Sequence, residues 1–412
     1  MAPVPSPCLN AKDICLSKPI QPILAAGPLA GVKVIDFTLF LSGPFATQIL
    51  GDLGAEVIKI ESPEGDMSRI IPPNFVDGSS TYFGSTNRNK KSVVLDLRQP
   101  PDLQAARRLI TEADVVIENF RPGKLAQLGI DYESASREKP ALVWAAISGF
   151  GQDGPLRDRP AYDMIVQAMA GVMSLTGEAT GEPVRAGVPV GDLGAGLYSV
   201  IGILSVLLEA RATGRGRRID VSMLDVQVAM LSYQASSYLH SGKVPGRQGS
   251  SHDFIPTYRC FTSCDNKRIA VTANTEPMFK GLVRTVGLPE LATDARFASA
   301  GARYENRAVL IALIDQAFLR YEAAPLIEAL IVAQVPAAAI DELDEVFANP
   351  QVLARGMRMQ LQGADAGQRM EVAGNPIKLT PAGRQSHDFP PRLGEHTQEV
   401  LQALGTRNPS ND

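Results

Sequence analysis

Residues 31–60, with the sequence GVKVIDFTLFLSGPFATQILGDLGAEVIKI, decide the fold class of this chain. The apolar, β-branched run Val32–Phe37 predicts a buried strand. Pro44–Gly54 predicts a helix, because proline is well placed in the first turn of a helix. Glu56–Ile60 predicts a second short strand. A strand, a helix and a strand in succession indicate a βαβ unit with two parallel strands.

The alternation continues through the first half of the chain. Strands are predicted over Ser92–Leu97, Asp114–Ile117 and Ala141–Ile147, and a helix over Asp102–Glu112. Buried strands that alternate with helices are typical of a mostly parallel sheet, and ligands of such sheets bind beyond the carboxyl ends of the strands. The sequence therefore predicts an α/β fold with a mostly parallel sheet.

The second half is more helical. Predicted helices cover Met164–Leu175, Leu193–Ala212 and Met223–Leu239. A stretch rich in Gly, Ser and Pro then leads into a compact α/β region that includes the predicted strand Arg268–Ala273. The chain returns to the first body after Ala337–Asp341 and ends in a short helix. We therefore expect a loosely ordered extension over 1–27, a large domain over 28–225, a linker over 226–247, a small domain over 248–345, and a return to the large domain over 346–412.

The composition excludes several classes of protein. The 412 residues carry a net charge of −4, so there is no electrostatic case for a nucleic-acid or anionic-membrane partner. No uninterrupted apolar run reaches the roughly 18 residues that span a bilayer. The first residues lack the basic and apolar regions of a signal peptide. Four cysteines in a chain of this length predict reduced thiols and a cytoplasmic location.

The segment Val190–Gly196 places one carboxylate, Asp192, among glycines and directly before a long apolar run. A helix that begins there leaves Asp192 at its N-terminus, where free backbone N–H groups and the helix dipole favour a charged carboxylate. Glycines without side chains allow a ligand to approach closely. Two interpretations stay open: an ordinary helix cap, and an accessible carboxylate nucleophile.

Two motifs resemble a dinucleotide site and a metal site but lack features that such sites require. Gly149–Gly154 matches G-x-G-x-x-G after a predicted strand, but a polar segment closed by Pro160 follows it instead of a helix, so we expect a loop rather than a dinucleotide site. Cys260, Cys264 and His252 do not have the spacing of a metal site, and we expect Cys260 to be a small buried residue. We therefore predict no metal.

Further polar residues have the chemistry of anion contacts. Asn119–Gly123 follows a predicted strand at the ligand-binding edge of the sheet. Arg69, Arg88, Lys90 and Lys91 form a basic scatter suited to phosphates, although each is also typical of a solvated surface. Gly249–His252 is a small loop that a plain connection between domains explains equally well.

Taken together, several segments resemble the class III CoA-transferases, a family that includes formyl-CoA transferase, carnitine CoA-transferase and the α-methylacyl-CoA racemases. The resemblance runs from about Pro28 to Leu404. The segments that carry it are Gly31–Asp36, Ser42–Pro44, Gly51–Glu61, Asn87–Ser92, Glu118–Gly123, Gly191–Asp192, Thr213–Gly216 and Leu393–Thr397.

The resemblance places the family's catalytic aspartate on Asp192 and so favours the nucleophile. Transferases of the family carry a tyrosine in the active site where Tyr162 stands, whereas the racemases carry a histidine there. A tyrosine, whose pKa is near 10, is poorly suited to reversible proton exchange at neutral pH. Glu276 stands where the racemases also have a glutamate. The resemblance therefore implies a transferase, with a racemase as the alternative and a non-catalytic acyl-CoA-binding protein as a third possibility.

The family's coenzyme A contacts fall on Phe40, Leu41 and Ser42 in the first βα turn and on Asn119, Phe120 and Arg121. We also expect contacts from Arg88 and Tyr162. The family's glycine-rich active-site loop falls on Gly249, Ser250, Ser251 and His252, which contain one glycine. Formyl-CoA transferase has Gln where Leu41 stands and Arg where Ser62 stands. These departures argue against formate or oxalate chemistry, and the segment that contains Arg185 is closer to members that use succinyl-CoA and small dicarboxylic acids.

The resemblance thus implies that CoA moves from an acyl-CoA, such as succinyl-CoA, to a small carboxylic or dicarboxylic acid. Asp192 forms first an anhydride and then a thioester with CoA. CoA is a co-substrate, and no permanently bound cofactor is expected. The implied fold is a Rossmann-like large domain with a smaller α/β domain, and the implied partner is a second copy in an interlocked homodimer.

Overall fold

A computed structural model describes residues 26–365, 367–383 and 386–406. All but the last two residues of the extension expected over 1–27 lie outside this part. The chain forms two compact units. The larger contains the described residues up to Ala170, Val188–Met230, and those from Ala354 onward. The smaller contains Gly171–Gly187 and Leu231–Leu353.

Strands are numbered in chain order. They are β1 Lys33–Asp36, β2 Glu56–Glu61, β3 Phe75–Val76, β4 Ser79–Ser80, β5 Lys90–Val94, β6 Val115–Glu118, β7 Val143–Ser148, β8 Arg218–Ser222, β9 Tyr258–Thr262, β10 Arg268–Thr272, β11 Ala337–Ala339, β12 Arg358–Gln362 and β13 Arg369–Ala373.

Helices are numbered in the same way. They are α1 Ser42–Asp52, α2 Thr81–Gly84, α3 Pro100–Glu112, α4 Lys124–Gln127, α5 Tyr132–Glu138, α6 Asp163–Met169, α7 Val172–Leu175, α8 Val190–Thr213, α9 Met223–Met230, α10 Tyr233–Ser241, α11 Glu276–Thr285, α12 Ala300–Glu305, α13 Arg307–Phe318, α14 Ala323–Val332, α15 Leu343–Ala348, α16 Pro350–Ala354 and α17 Thr397–Thr406. Short 3₁₀ turns lie at Met67–Ile70, Pro289–Ala292 and Ala295–Phe297.

A six-stranded sheet with the order β5-β2-β1-β6-β7-β8 organises the larger unit. Every neighbouring pair is parallel, which confirms the predicted sheet. Apolar side chains cover both faces of the sheet, which explains the continuous apolar runs in its strands. The strand order reverses between β1 and β6. In open sheets of this type the crevice beyond the carboxyl ends of two such strands is the ligand site.

The smaller unit has its own core. Strands β11, β10 and β9 form an antiparallel sheet. Apolar residues of β9, β10, α11, α13 and α14 pack together around Phe261, Phe279 and Phe318. The observed boundaries differ from the expected 248–345. Part of this difference has a local cause, because Gly249 N–H donates to the carbonyl of Gly177 (3.0 Å) and so ties the segment before Val188 to this unit.

Several helix boundaries differ from the predictions. The helix predicted over Met223–Leu239 is two helices, because Ser232 interrupts it with a φ of +49°. The helix predicted over Met164–Leu175 is interrupted at Gly171, whose φ is +87°. Helix α8 ends as the sequence predicts, with Gly214 in the left-handed conformation and its N–H bonded to the carbonyl of Ala210 (2.8 Å).

Helix α8 is long and largely apolar, although polar residues such as Ser199 and Ser205 interrupt its apolar run. It has 24 residues and an 18-residue window of mean hydropathy 1.8, so by length and composition alone it is able to cross a membrane. Within that window 44% is buried, and Gly196 packs against the backbone of α1 at Ser42. Core helices of soluble proteins have the same composition.

Candidate active site

A cavity of about 300 Å³ lies beside the crevice between β1 and β6. The turn after β1, the segment after β6 and the N-terminal part of α8 all contribute to it. It brings together seven residues singled out from the sequence: Phe40, Ser42, Asn119, Phe120, Arg121, Tyr162 and Asp192.

Asn119 fixes the turn that follows β1. Its Oδ1 accepts a hydrogen bond from Leu39 N–H (2.8 Å), and its Nδ2 donates to the Leu39 carbonyl (2.8 Å) and to Ser42 Oγ (3.3 Å). Phe40 has a φ of +63°, which a residue with a side chain adopts only when its surroundings impose it. Asn119 therefore positions the turn, and Phe40 and Ser42 present their side chains to the cavity.

Asp192 is not the helix cap that its sequence context indicates. Helix α8 begins at Val190, so Asp192 lies inside its first turn. Asp163, the first residue of α6, takes the capping role. Its Oδ1 accepts hydrogen bonds from the N–H groups of Gly191 (2.8 Å) and Asp192 (3.4 Å), and its Oδ2 accepts one from Gln167 Nε2 (2.6 Å). The carboxylate of Asp192 is thus left free of capping.

The glycines around Asp192 serve packing rather than ligand access. A Cβ at Gly191 would lie 2.3 Å from Gln227 Nε2 and 2.9 Å from Asp163 Oδ1. A Cβ at Gly194 would lie 2.9 Å from Val226. These glycines therefore let α8 approach α6 and α9 closely, and the interpretation that they open space for a ligand is wrong.

The environment of Asp192 opposes its ionisation. Burial and, to a smaller extent, the nearby carboxylate of Asp163 raise the pKa of Asp192 to about 7, although a hydrogen bond from the Ser42 hydroxyl acts in the opposite direction. Asp163 is itself only 7% exposed, so its charge acts on Asp192 with little screening by solvent. A carboxylate that is partly stripped of water is a stronger base and nucleophile than one in bulk solvent.

Tyr162 lies at the rim of the cavity with 68% of its surface exposed. Its ring meets that of Phe40 edge to face, with centroids 6.1 Å apart. Tyr162 also precedes α6 directly. The same stretch of backbone therefore places this ring at the rim and the Asp163 carboxylate at the N-terminus of α8.

Two arginines of this cavity were missed by the sequence analysis. Arg157 and Arg159 line it together with the expected Arg121. They come from the loop after β7, whose G-x-G-x-x-G pattern belongs to a loop, as predicted. Arg157 lies against Gly123, and Arg159 lies over the ring of Phe150 (5.9 Å). The sequence feature that could have identified them is the presence of two arginines in a loop that follows the carboxyl end of a predicted strand.

The basic scatter expected to hold phosphates is mostly buried instead. Arg88 is 2% exposed and donates to both carboxylate oxygens of Asp52 (2.9 and 2.6 Å), so it is absent from the cavity. Arg69 forms the same bidentate pair with Glu61, and Lys90 Nζ lies 3.1 Å from Asp36 Oδ2. Burial of a cation requires such a partner, so these side chains are committed to ion pairs within the fold rather than to a phosphate ligand.

The remaining expected residues lie elsewhere. Leu41 is absent from the cavity lining, and its carbonyl accepts a hydrogen bond from Phe45 N–H (2.8 Å). Gly249, Ser250, Ser251 and His252 belong to the smaller unit, where the last three line a separate cavity.

Glu276 bears on the racemase alternative, and the two cysteines bear on a metal site. The guanidinium of Arg303 lies 2.5 Å from Glu276 and lowers its pKa, which disfavours a proton-exchanging role for Glu276. Cys260 is buried in β9, as predicted, and Cys264 is exposed. Among the described residues, no three His, Cys, Asp or Glu side chains are grouped so as to hold a metal ion.

Comparison with known proteins gives one consistent result. The family model described as CoA-transferase family III matches residues 29–397. The chain is 40% identical over 386 residues to the succinate–glutarate CoA-transferase of Agrobacterium fabrum, which covers 92% of this chain and 96% of the relative. It is 37% identical over 378 residues to the human succinyl-CoA:glutarate CoA-transferase, which covers 92% and 86%.

A solved structure agrees. A CAIB/BAIF family protein from Brucella suis has a TM-score of 0.81 and 40% sequence identity to this chain, and the match covers 92% of this chain and 99% of that one.

Proposed function

The chain belongs to CoA-transferase family III, and from this membership we propose that it carries CoA from an acyl-CoA to a small dicarboxylic acid through covalent intermediates on Asp192. The single observation that carries the proposal is the position of the Asp192 carboxylate, which lines the cavity between β1 and β6 together with Arg121, Arg157 and Arg159. Such a carboxylate is able to act as a nucleophile in a two-step group transfer.

The first half of the reaction forms two bonds in turn. An oxygen of ionised Asp192 attacks the thioester carbonyl, the carbon–sulfur bond breaks, and CoA leaves as a thiolate. The product is a mixed anhydride between the acyl group and Asp192. The thiolate then attacks the side-chain carbonyl of Asp192, the anhydride bond breaks, and the first acid leaves as a carboxylate. CoA is now held in a thioester with Asp192.

The second half reverses these steps with the acceptor. The acceptor carboxylate attacks the side-chain carbonyl of Asp192 and releases the thiolate, and the thiolate attacks the acceptor acyl group of the new anhydride. Asp192 returns to its carboxylate, and no net proton is consumed. The bond energy of the thioester is kept, provided that water is excluded from the anhydride.

The residues around Asp192 fit the anionic substrate. Guanidinium groups bind phosphates well, and CoA carries three phosphate groups. The cavity is lined by three such side chains, Arg121, Arg157 and Arg159. The rings of Phe40 and Phe120 provide apolar surface beside them. A carboxylic acid acceptor is anionic as well, so the same positive field attracts both substrates.

The acids are proposed from the relatives. The relatives from Agrobacterium fabrum and human, at 40% and 37% identity, are named for succinyl-CoA, succinate and glutarate, and another, from Haloarcula marismortui, is named succinyl-CoA:mesaconate CoA-transferase. A relative from Acetobacter aceti, at 39% identity, is named acetyl-CoA:oxalate CoA-transferase. Succinate, glutarate, mesaconate and oxalate all carry two carboxylates. We therefore place the donor and the acceptor among small dicarboxylic acids.

The proposal includes a second copy of the chain. Leu197, Ile201 and Leu208 share one face of α8 and are 49–69% exposed, and Met230 of α9 is 51% exposed. Large apolar side chains in such a row are typical of a surface that another chain covers. A homodimer, interlocked as in the family, fits this surface. A cytoplasmic location remains part of the proposal and depends only on the low cysteine content.

A substrate screen tests the proposal. Succinyl-CoA and acetyl-CoA are each mixed with a panel of mono- and dicarboxylic acids, and new thioesters are identified by mass spectrometry. We expect CoA transfer to dicarboxylic acids, and a loss of at least about 10³-fold in Asp192→Asn, since a covalent nucleophile is removed. Transfer by Asp192→Asn at the rate of the parent would contradict it.

A further inference from the structure

The smaller unit contains a second cavity, of about 430 Å³. Its walls are the loop 248–256, the strands β9 and β10, and the beginning of α13. Three arginines line it, one from each element of secondary structure: Arg259 in β9, Arg268 in β10 and Arg307 at the start of α13.

The charges of these arginines are not neutralised by ion pairs. None of the three has a carboxylate of the described residues within 4.0 Å. Their hydrogen-bond partners are neutral: Arg268 Nη2 donates to Ser250 Oγ (2.7 Å), and Arg307 Nη1 donates to the Tyr304 carbonyl (2.9 Å). This differs from the larger unit, where Arg69 and Arg88 are both saturated by carboxylates.

Arg259 supplies the second observation. Its Nε atom is buried and has no hydrogen-bond partner among the described residues. A buried donor without an acceptor costs free energy, and native proteins rarely leave one unsatisfied. Its guanidinium lies 5.6 Å from the ring of Phe261, which provides no lone pair in the plane of the N–H groups. The protein therefore leaves the guanidinium of Arg259 without a full set of acceptors.

Carboxylates near the cavity do not cancel this charge. Glu178 and Asp253 belong to the lining, where the three arginines outnumber them. The Glu178 carboxylate lies against Gly249, and Asp253 accepts a hydrogen bond from Gln234 (3.4 Å). Asp315 of α13 interacts with Arg259 and Arg268 only at longer range, and burial raises its pKa.

The loop on one side of the cavity is held in place. The ring of His252 stacks between those of Tyr233 (5.5 Å) and Tyr258 (5.3 Å). The backbone of this loop pairs with β9, since His252 N–H donates to the Tyr258 carbonyl and Cys260 N–H donates to the Ser250 carbonyl. Ser250 is therefore fixed where it orients Arg268, so the site is organised before a ligand arrives.

We propose that this cavity is an oxyanion-binding site for the carboxylate or phosphate group of a substrate-sized acid, held by Arg259, Arg268 and Arg307. Guanidinium groups bind both oxyanions with paired, charge-assisted hydrogen bonds. Two sources carry such groups: a small dicarboxylate, and the phosphate ends of coenzyme A. The site does not depend on chemistry at Asp192.

The test is made on the full chain carrying Asp192→Asn, so that no turnover takes place and a failure of the proposed function does not affect the result. Phenylglyoxal modifies arginines, and mass spectrometry identifies which ones. We expect glutarate or adenosine 3′,5′-bisphosphate to slow the modification of Arg268 and Arg307. Arg284, whose Nε donates only to a carbonyl of its own helix, is the matched control and should react equally with and without ligand.

The two probes separate the sources of the oxyanion. Protection by glutarate alone identifies the carboxylate, and protection by the bisphosphate alone identifies the phosphate. In calorimetry, Arg307→Gln and Arg268→Gln should each weaken binding of the protecting probe about tenfold, while Arg284→Gln should not. Absence of protection by both probes, or unchanged binding in both variants, would overturn the proposal.

Discussion

The carboxylate of Asp163 lies at the beginning of the helix that carries Asp192, with its Oδ1 2.8 Å from the Gly191 nitrogen and 3.4 Å from the Asp192 nitrogen. Asp163 thus does two things at once. It accepts hydrogen bonds from N–H groups in the first turn of α8, which fixes the backbone of Asp192. Its charge also raises the pKa of the Asp192 carboxyl.

The first prediction concerns pH. In the proposed reaction only ionised Asp192 attacks the thioester, and burial raises the pKa of this carboxyl to about 7. We expect kcat/KM for the acyl-CoA to rise with pH through about 7 and to level off above it, since this ratio reports ionisation of the free enzyme. Initial rates from about pH 5 to about pH 9 measure it. A profile without a limb near neutrality would contradict the assignment.

Asp163→Asn should shift that limb to lower pH. The substitution keeps an oxygen that accepts from the Gly191 N–H group but removes the negative charge that raises the pKa of Asp192. The same rate measurements show the shift. If the limb stays where it is in the parent, Asp163 acts on Asp192 through the backbone alone.

Ser42→Ala should shift the limb in the opposite direction. The Ser42 hydroxyl donates to the Asp192 carboxylate and lowers its pKa, so its loss raises that pKa and moves the limb to higher pH. Ser136→Ala, which removes an exposed hydroxyl bonded to its own helix, is the control. A shift to lower pH in Ser42→Ala would refute the hydrogen bond.

A fourth prediction concerns stability. Because the pKa of Asp192 is higher in the folded chain than its ordinary value of 3.8, the folded state binds the proton more tightly than the unfolded state does. The resulting stabilisation is full below about pH 4 and is lost as the pH rises through about 7. Asp192→Asn cannot ionise and does not lose it.

The free energy of unfolding of Asp192→Asn should therefore increase relative to that of the parent as the pH rises. At about pH 8 we expect Asp192→Asn to be more stable by about 2 kcal/mol, after allowance for partial exposure of the site, and at about pH 4 the difference should be smaller. Urea unfolding of both proteins at the two pH values measures it. A difference that does not change with pH would contradict the raised pKa.

The fifth prediction separates two kinds of arginine. Arg157→Gln and Arg159→Gln remove exposed cations from the cavity and should raise KM for the acyl-CoA about tenfold with little change in kcat. Arg88→Gln breaks a buried pair with Asp52 and should lower the stability by about 3 kcal/mol with little change in KM. Steady-state kinetics and urea unfolding test both, and the reverse pattern would return Arg88 to the site.

Local sequence predicted the parallel sheet well, because strands buried on both faces are continuous apolar runs such as Val32–Phe37. It also placed Asn119 at the ligand-binding edge of the sheet, because this residue follows a predicted strand, whereas Phe40 was expected there only from the resemblance to the family. It gave the wrong first residue for α8, because a single Asp before an apolar run is compatible both with the N-cap position and with a position inside the first turn.

The rest depended on contacts between distant parts of the chain. Asp163 caps a helix that begins 27 residues later, and nothing in either local sequence shows this. Likewise, the partner of Arg88 is Asp52, on a different element, so its burial had no local signal. The glycines of α8 were misinterpreted because their neighbours, such as Gln227, come from another helix.

The central claim is that Asp192 becomes covalently acylated during transfer. Hydroxylamine converts an aspartyl anhydride or thioester into a hydroxamate, which mass spectrometry locates in the peptide that contains the residue. With acyl-CoA present, we predict a hydroxamate at Asp192 in the parent, and none when acyl-CoA is omitted or in Asp192→Asn. CoA transfer that continues while Asp192 stays unmodified, in a reaction where hydroxylamine is shown to trap a related transferase, would contradict the account.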